Sequence, residues 1–290
     1  MNPVDFLIGP FVQYGFMSRA LAGAAILALS AGPVGVFLML RRMSLSGDAM
    51  AHAILPGAAA GFLVAGLQIL PMTLGGFAAG LVVALLAGLV SRLTIQREDT
   101  SLAAFYLISL ALGVLLISLR GSSVDLMNVL FGSVLALNND ALIMIGAVAT
   151  ISLAALAVIW RALFAECLDP VYLRSVSKAG PIVHFVFLGL VVLNLVGGFQ
   201  ALGTLLAVGL MMLPAAAARF WVRSLEALCL LAIGIGMASS YLGLLLSYHL
   251  SVPSGPSIIL VAGGVYALSL IAGTRGIVRT RLVSRRHRIA

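Results

Sequence analysis

Arg41-Arg42-Met43-Ser44-Leu45-Ser46-Gly47-Asp48-Ala49-Met50-Ala51-His52-Ala53-Ile54-Leu55-Pro56-Gly57 runs from two arginines into an apolar segment that carries an acid and a histidine four residues apart. Arginines bordering an apolar run mark the headgroup layer of a membrane. His52 lies ten residues past Arg42, about 15 Å along a helix, near the middle of a hydrocarbon core about 30 Å thick. An acid at that depth costs roughly 2.5–3.5 kcal/mol on insertion scales, so it needs a partner or a task.

Composition agrees on the solvent. Hydrophobic residues make up 62% of the chain, charged residues 9%, and mean hydropathy is +1.18, against about 25% charged residues in soluble domains. Apolar runs of spanning length recur near 18–40, 48–70, 73–91, 100–119, 139–160, 181–198, 201–219, 225–248 and 256–274. The predicted fold is an all-α polytopic membrane bundle of eight or nine spans, one transmembrane domain over residues 1–290. Residues 1–17 read as an interfacial segment. They lack the basic start and cleavage site of a secretory signal, so insertion is expected to rely on the first span.

The net charge of +8 does not point to nucleic acid. Six basic residues sit in the tail 275–290, and Arg41, Arg42, Arg92, Arg97, Arg161, Arg174, Lys178, Arg219 and Arg223 flank apolar runs. By the positive-inside rule these ends, and the basic C-terminus, face the cytoplasm, with anionic lipid as the tail's partner. Nine crossings then place the N-terminus outside. Val124 to Ser133 is apolar but too short to cross, and reads as re-entrant or surface-lying. Asp140 is the expected cap of the span that follows it. Cys167 and Cys229 form no close-spaced motif, and no disulfide between them is expected.

Asp48 and His52, at i and i+4, share one helix face. Pro56 cannot donate to the carbonyl of His52, which would leave that oxygen in the same cluster. A metal ion or coupled proton would suit this group. The plainer readings are an Asp48–His52 hydrogen bond, or Asp48 as a helix cap with His52 packed between helices. One chain supplies too few ligands for a closed site; two chains about a shared axis would supply two Asp and two His, a set that suits zinc or manganese. No cysteine stands there, which fits a site that must release its ion.

The longest polar loop, 161–180, holds Phe164, Glu166, Asp169, Pro170, Tyr172 and Arg174. Asp169-Pro170 is a good start for a short helix, and the loop is either a docking element for a cytosolic partner or simply solvated. Pro214 stands mid-span before a run of alanines, where close helix packing is the plain reading and a kink lining a pathway the sharper one. Likewise His184, His249 and His287 read as packing or interfacial residues rather than ligands. Lys178 is the only lysine, and no G-x-x-x-x-G-K precedes it, so the chain has no P-loop of its own. H-E-x-x-H and G-x-S-x-G are also missing, and catalysis within this chain is not expected.

Three blocks carry a resemblance: Arg41-Arg42-Met43-Ser44 with Gly47-Asp48-Ala49 and His52-Ala53 through Pro56-Gly57; Val124-Asp125-Leu126 with Leu130-Phe131-Gly132; and Gly203-Thr204-Leu205-Leu206 through Leu213-Pro214-Ala215-Ala216 to Arg219, followed by Pro253 to Ser257. Together they resemble the permease subunit of the ATP-binding-cassette importers of zinc and manganese. The resemblance implies a homodimer, two cytosolic ATPase subunits that bind the ATP, and an extracytoplasmic metal-binding protein that delivers the ion. It implies that Asp48 and His52 coordinate the transported metal, with no resident cofactor, and that residues 164–180 meet the ATPase. The expected cargo is zinc before manganese or ferrous iron; a stand-alone metal/proton carrier is the other reading. A membrane-embedded hydrolase lacks a nucleophile and base, and a cobalamin or siderophore importer would need no liganding Asp–His pair. The chain departs from the pattern in its longer N-terminus, its basic tail, and Glu166-Cys167-Leu168-Asp169-Pro170 where a plainer Phe-Asp-Pro is usual.

Overall fold

Lipid offers no hydrogen bonds, so each spanning segment must satisfy its own backbone, and a helix does so within one strand of chain. The computed structural model describes residues 6–66, 68–119, 134–168 and 179–279. Their order is α1 (Gly9–Gln13), α2 (Gly15–Leu40), α3 (Ser44–Ala53), α4 (Leu55–Ala65), α5 (Ile69–Leu93), α6 (Glu98–Leu119), a 3₁₀ turn (Val134–Ala136), α7 (Asn139–Leu168), α8 (Ala179–Leu202), α9 (Thr204–Ala218), α10 (Leu225–Leu250) and α11 (Ser254–Ala272). The segments Arg120–Ser133 and Asp169–Lys178 lie outside the described residues, and with them the expected re-entrant element.

Among the described residues, eight helical stretches are long and apolar enough to cross a membrane, α3 and α4 counting as one. The ninth expected span, near 201–219, is α9. Its 15 residues reach about 22 Å, less than a full hydrocarbon core.

α2 is the hub. Ala20, Ala24, Leu27, Ala31, Val34, Phe37 and Leu38 are all buried, and α2 packs on α7, α8, α9 and α10. In lipid this packing gains through close van der Waals contact rather than through removal of water, so small residues at crossings matter. At the α4–α5 crossing a Cβ on Gly57 would overlap the carbonyl oxygen of Gly75. Phe37 meets Trp160 edge-on at 5.1 Å, which locks α2 to α7.

Several local expectations change. Residues 161–168 are not loop: α7 runs 30 residues to Leu168, about 45 Å, so its end projects beyond a 30 Å core. The cap of α7 is Asn138, whose Oδ1 accepts the amide of Ala141 at 2.8 Å; Asp140 lies within the first turn, where its charge suits the helix dipole. Near the N-terminus, Tyr241 donates to the carbonyl of Leu7 at 2.9 Å and Phe6 stacks on His249 at 3.9 Å. The segment before α2 is thus packed on the end of α10, and α1 is too short to cross.

One end of the bundle gathers Arg41, Arg42 and Arg97 around one cavity, and Arg219 and Arg275 with Met39 around another. There α2 ends in paired reverse bonds, Met43 N–H to Leu38 O and Arg42 N–H to Met39 O, each 3.0 Å. Arg42 takes φ 60°, the left-handed position where glycine usually ends a helix this way.

Candidate metal site

The helix that begins at Ser44 breaks at Ile54 because Pro56 has no amide hydrogen to continue the ladder. The carbonyl of His52 does not stay free as expected: the amide of Ile54 turns back to it. The next carbonyl, Ala53, accepts the buried Ser109 hydroxyl of α6 at 2.9 Å. The carbonyls of His52 and Ala53 are therefore taken within the protein, which leaves the side chains of Asp48 and His52 as the candidate ligands.

Asp48 and His52 lie on α3 with His52 Nε2 3.9 Å from Asp48 Oδ1. That is too long for a hydrogen bond, and α3 starts at Ser44 with Met43 as its cap residue, so neither plainer reading describes Asp48. Two metal–ligand bonds of about 2.1 Å each can bridge such a gap. Asp48 is 67% exposed and His52 31%. His52 Nδ1 is buried without a hydrogen-bond partner among the described residues. The ring of Tyr106, on α6, stands 6.2 Å from the imidazole. Gly47, beside Asp48, lies against Met211 and Met212 of α9, so the helix holding Pro214 backs the site while Pro214 itself is buried toward Gly236 of α10.

No group of three or more His, Cys, Asp or Glu side chains among the described residues could hold a metal ion. The Asp48–His52 pair is half of a site at best. An ionisable side chain open on a membrane helix must face a partner or a water-filled path.

The residues of the polar segment separate. Phe164 is 40% exposed near the end of α7. Glu166 is buried and paired with Arg41 at 3.3 Å. Asp169, Pro170, Tyr172 and Arg174 lie outside the described residues. A cavity of about 960 Å³ opens beside Arg41, Glu98, Asp99, Glu166 and His184. His184, expected to be a packing histidine, is 4% exposed, lies 3.0 Å from Glu98 and contacts Arg41. The sequence offers one sign of this cluster: charged residues at the ends of four apolar runs, which the positive-inside rule alone reads as flanks.

A family model described as the ABC 3 transport family matches residues 13–273. The manganese import system permease protein ScaB of Streptococcus parasanguinis is 34% identical over 257 residues, 89% of this chain and 90% of that protein. The manganese transport system membrane protein MntC of Halalkalibacterium halodurans is 30% identical over 282 residues, 97% of this chain and 95% of that protein. A probable iron transport system membrane protein of Haemophilus influenzae is 28% identical over 266 residues, 92% of this chain and 96% of that protein. Among solved structures, PsaBC from Streptococcus pneumoniae in complex with Fab superposes with a TM-score of 0.83 at 30% identity, covering 96% of this chain and 98% of that chain.

Proposed function

The chain belongs to the ABC 3 transport family, and from that premise we propose that it carries manganese across a bacterial membrane through a site built on Asp48 and His52. It is the multi-pass permease subunit of an ATP-binding-cassette metal importer, and ATP hydrolysis lies in partner subunits.

One observation carries the site: an exposed carboxylate and an imidazole face each other across 3.9 Å on a membrane helix, at ion-pair range but beyond a hydrogen bond. Two copies about a common axis would bring two carboxylates and two imidazoles together and cover the exposed face of Asp48. Oxygen and imidazole donors without thiolate suit manganese, and a site made of two halves can release its ion when the halves part. The expectation of zinc before manganese gives way here, because the relatives are named for manganese import, and one for iron, at this coverage. The arginine-rich end faces the cytoplasm by the positive-inside rule, where the end of α7 and the segment after it meet the ATPase. An extracytoplasmic binding protein delivers the ion on the other side.

The test is uptake into vesicles holding the permease with its ATPase and binding protein, supplied in turn with manganese, zinc and ferrous iron. ATP-dependent manganese uptake ahead of zinc and iron is expected. Zinc uptake ahead of manganese would restore zinc as the cargo, and uptake without ATP would favour a secondary carrier.

A further inference from the structure

At the arginine-rich end, four ionisable side chains from four elements meet at the wall of the cavity, three of them largely buried and Glu98 23% exposed. Arg41 stands between α2 and α3, Glu98 at the start of α6, Glu166 near the end of α7 and His184 near the start of α8. Arg41 Nη2 donates to Glu166 Oε1 at 3.3 Å and contacts His184 Nδ1. His184 Nε2 lies 3.0 Å from Glu98 Oε1. The donor logic sets the tautomer: a guanidinium only donates, so Nδ1 accepts and Nε2 carries the proton, beside the Glu98 carboxylate. The Arg41 guanidinium also lies 5.2 Å from the centroid of the Phe187 ring. Side-chain exposure is 11% for Arg41, 10% for Glu166 and 6% for His184.

Such a cluster is more than a headgroup anchor, because an anchor keeps its charge in water. Here Arg41 is pulled inward by a carboxylate on the very helix end that runs into the ATPase-facing segment. Arg41 is also one short turn before α3, the helix of Asp48 and His52. α3 is tied to α6 a second time by Ser46 Oγ donating to Asp99 Oδ1 at 3.2 Å. A displacement of the end of α7 therefore reaches α3 through the Arg41–Glu166 ion pair and through the Glu98–His184 contact. Arg41 Nη1 and Glu166 Oε2 remain buried without partners among the described residues. Buried groups with open valences in an otherwise satisfied cluster suit one that exchanges partners.

We propose that Arg41, Glu166, His184 and Glu98 form a charge latch that couples movement of the end of α7 to the position of the Asp48–His52 helix. These are positioning residues: none reaches the cargo. The latch rests on the reading of the chain as an ATP-driven manganese permease.

The experiment measures manganese ions moved per ATP hydrolysed in vesicles holding the full assembly. Wild type is measured first, and a lack of ATP-driven uptake there would remove the underlying reading before any variant is compared. Arg41→Gln and Glu166→Gln are each expected to lower the ratio about tenfold, within the usual range of coupling between sites. Because these variants alter a buried charge, His184→Gln and His184→Phe provide a second pair. Gln can accept from Arg41 and donate to Glu98 and should keep the ratio, whereas Phe can do neither and should lose it. Wild-type ratios in Glu166→Gln and His184→Phe would overturn the latch.

Discussion

Asp48 and His52 face each other across 3.9 Å with 67% and 31% of their side chains open, whereas Arg41 and Glu166, a few residues and one helix end away, are closed to 11% and 10% and paired at 3.3 Å. Both clusters hold charge in a chain with only 9% charged residues. They differ in what completes them. The Arg41–Glu166 cluster pairs its charges with one another, so it ties four helix ends together. The Asp48–His52 pair shows no hydrogen bond to a side chain among the described residues, so it is available to something that arrives. A transport pathway needs both: a place that is incomplete without cargo, and a fixed frame that moves as a unit.

The largest effect should fall on the open pair. Asp48→Ala or His52→Ala should reduce manganese uptake more than about 100-fold, since loss of even an outer partner in a metal site costs about 10–100-fold. Thermal stability of the purified permease should stay near wild type, because among the described residues neither side chain makes a hydrogen bond. Uptake retained in both variants would sink the site.

The converse should hold at the closed cluster. Glu166→Ala leaves the Arg41 guanidinium buried without its carboxylate, and breaking a buried pair from one side costs about 3–5 kcal/mol. A lower thermal midpoint than in either site variant is expected in detergent. Equal midpoints would erase the distinction between the two clusters.

Two smaller substitutions probe the frame alone. Asn138→Ala removes the cap that binds the Ala141 amide and should lower stability by about 1 kcal/mol, with the manganese preference unchanged. Arg42→Gly relieves a side chain at φ 60° and should raise stability by at most about 1 kcal/mol, read as a small rise in the midpoint. A fall would mean that the Arg42 side chain holds the turn.

Much of the frame is legible in the sequence, because spanning helices are set by length and hydropathy and the arginines mark their ends. Asp48 and His52 are legible for the same reason: polar residues inside an apolar run stand out, and the i, i+4 spacing fixes their shared face. The bonding around them is not. The Pro56 break is visible, but not that the Ile54 amide would take the His52 carbonyl or that Ser109, 56 positions away, would bind the carbonyl of Ala53. The inner cluster is hidden for a related reason. Arg41, Glu98, Glu166 and His184 are spread over 143 positions between Arg41 and His184, and each alone resembles an ordinary flank or packing residue. Their common burial arises only from how α2, α6, α7 and α8 come together. The length of α7 is obscured as well, since charged residues after Trp160 read as loop although the helix simply leaves the membrane.

The central claim is that the Asp48–His52 pair is half of a metal site. Manganese binding to the purified permease–ATPase assembly, titrated without ATP and followed by the loss of the free-ion electron paramagnetic resonance signal, tests it most directly. The account predicts one ion bound for every two permease chains, and none in His52→Ala. One ion per chain, or binding that survives His52→Ala, would contradict it.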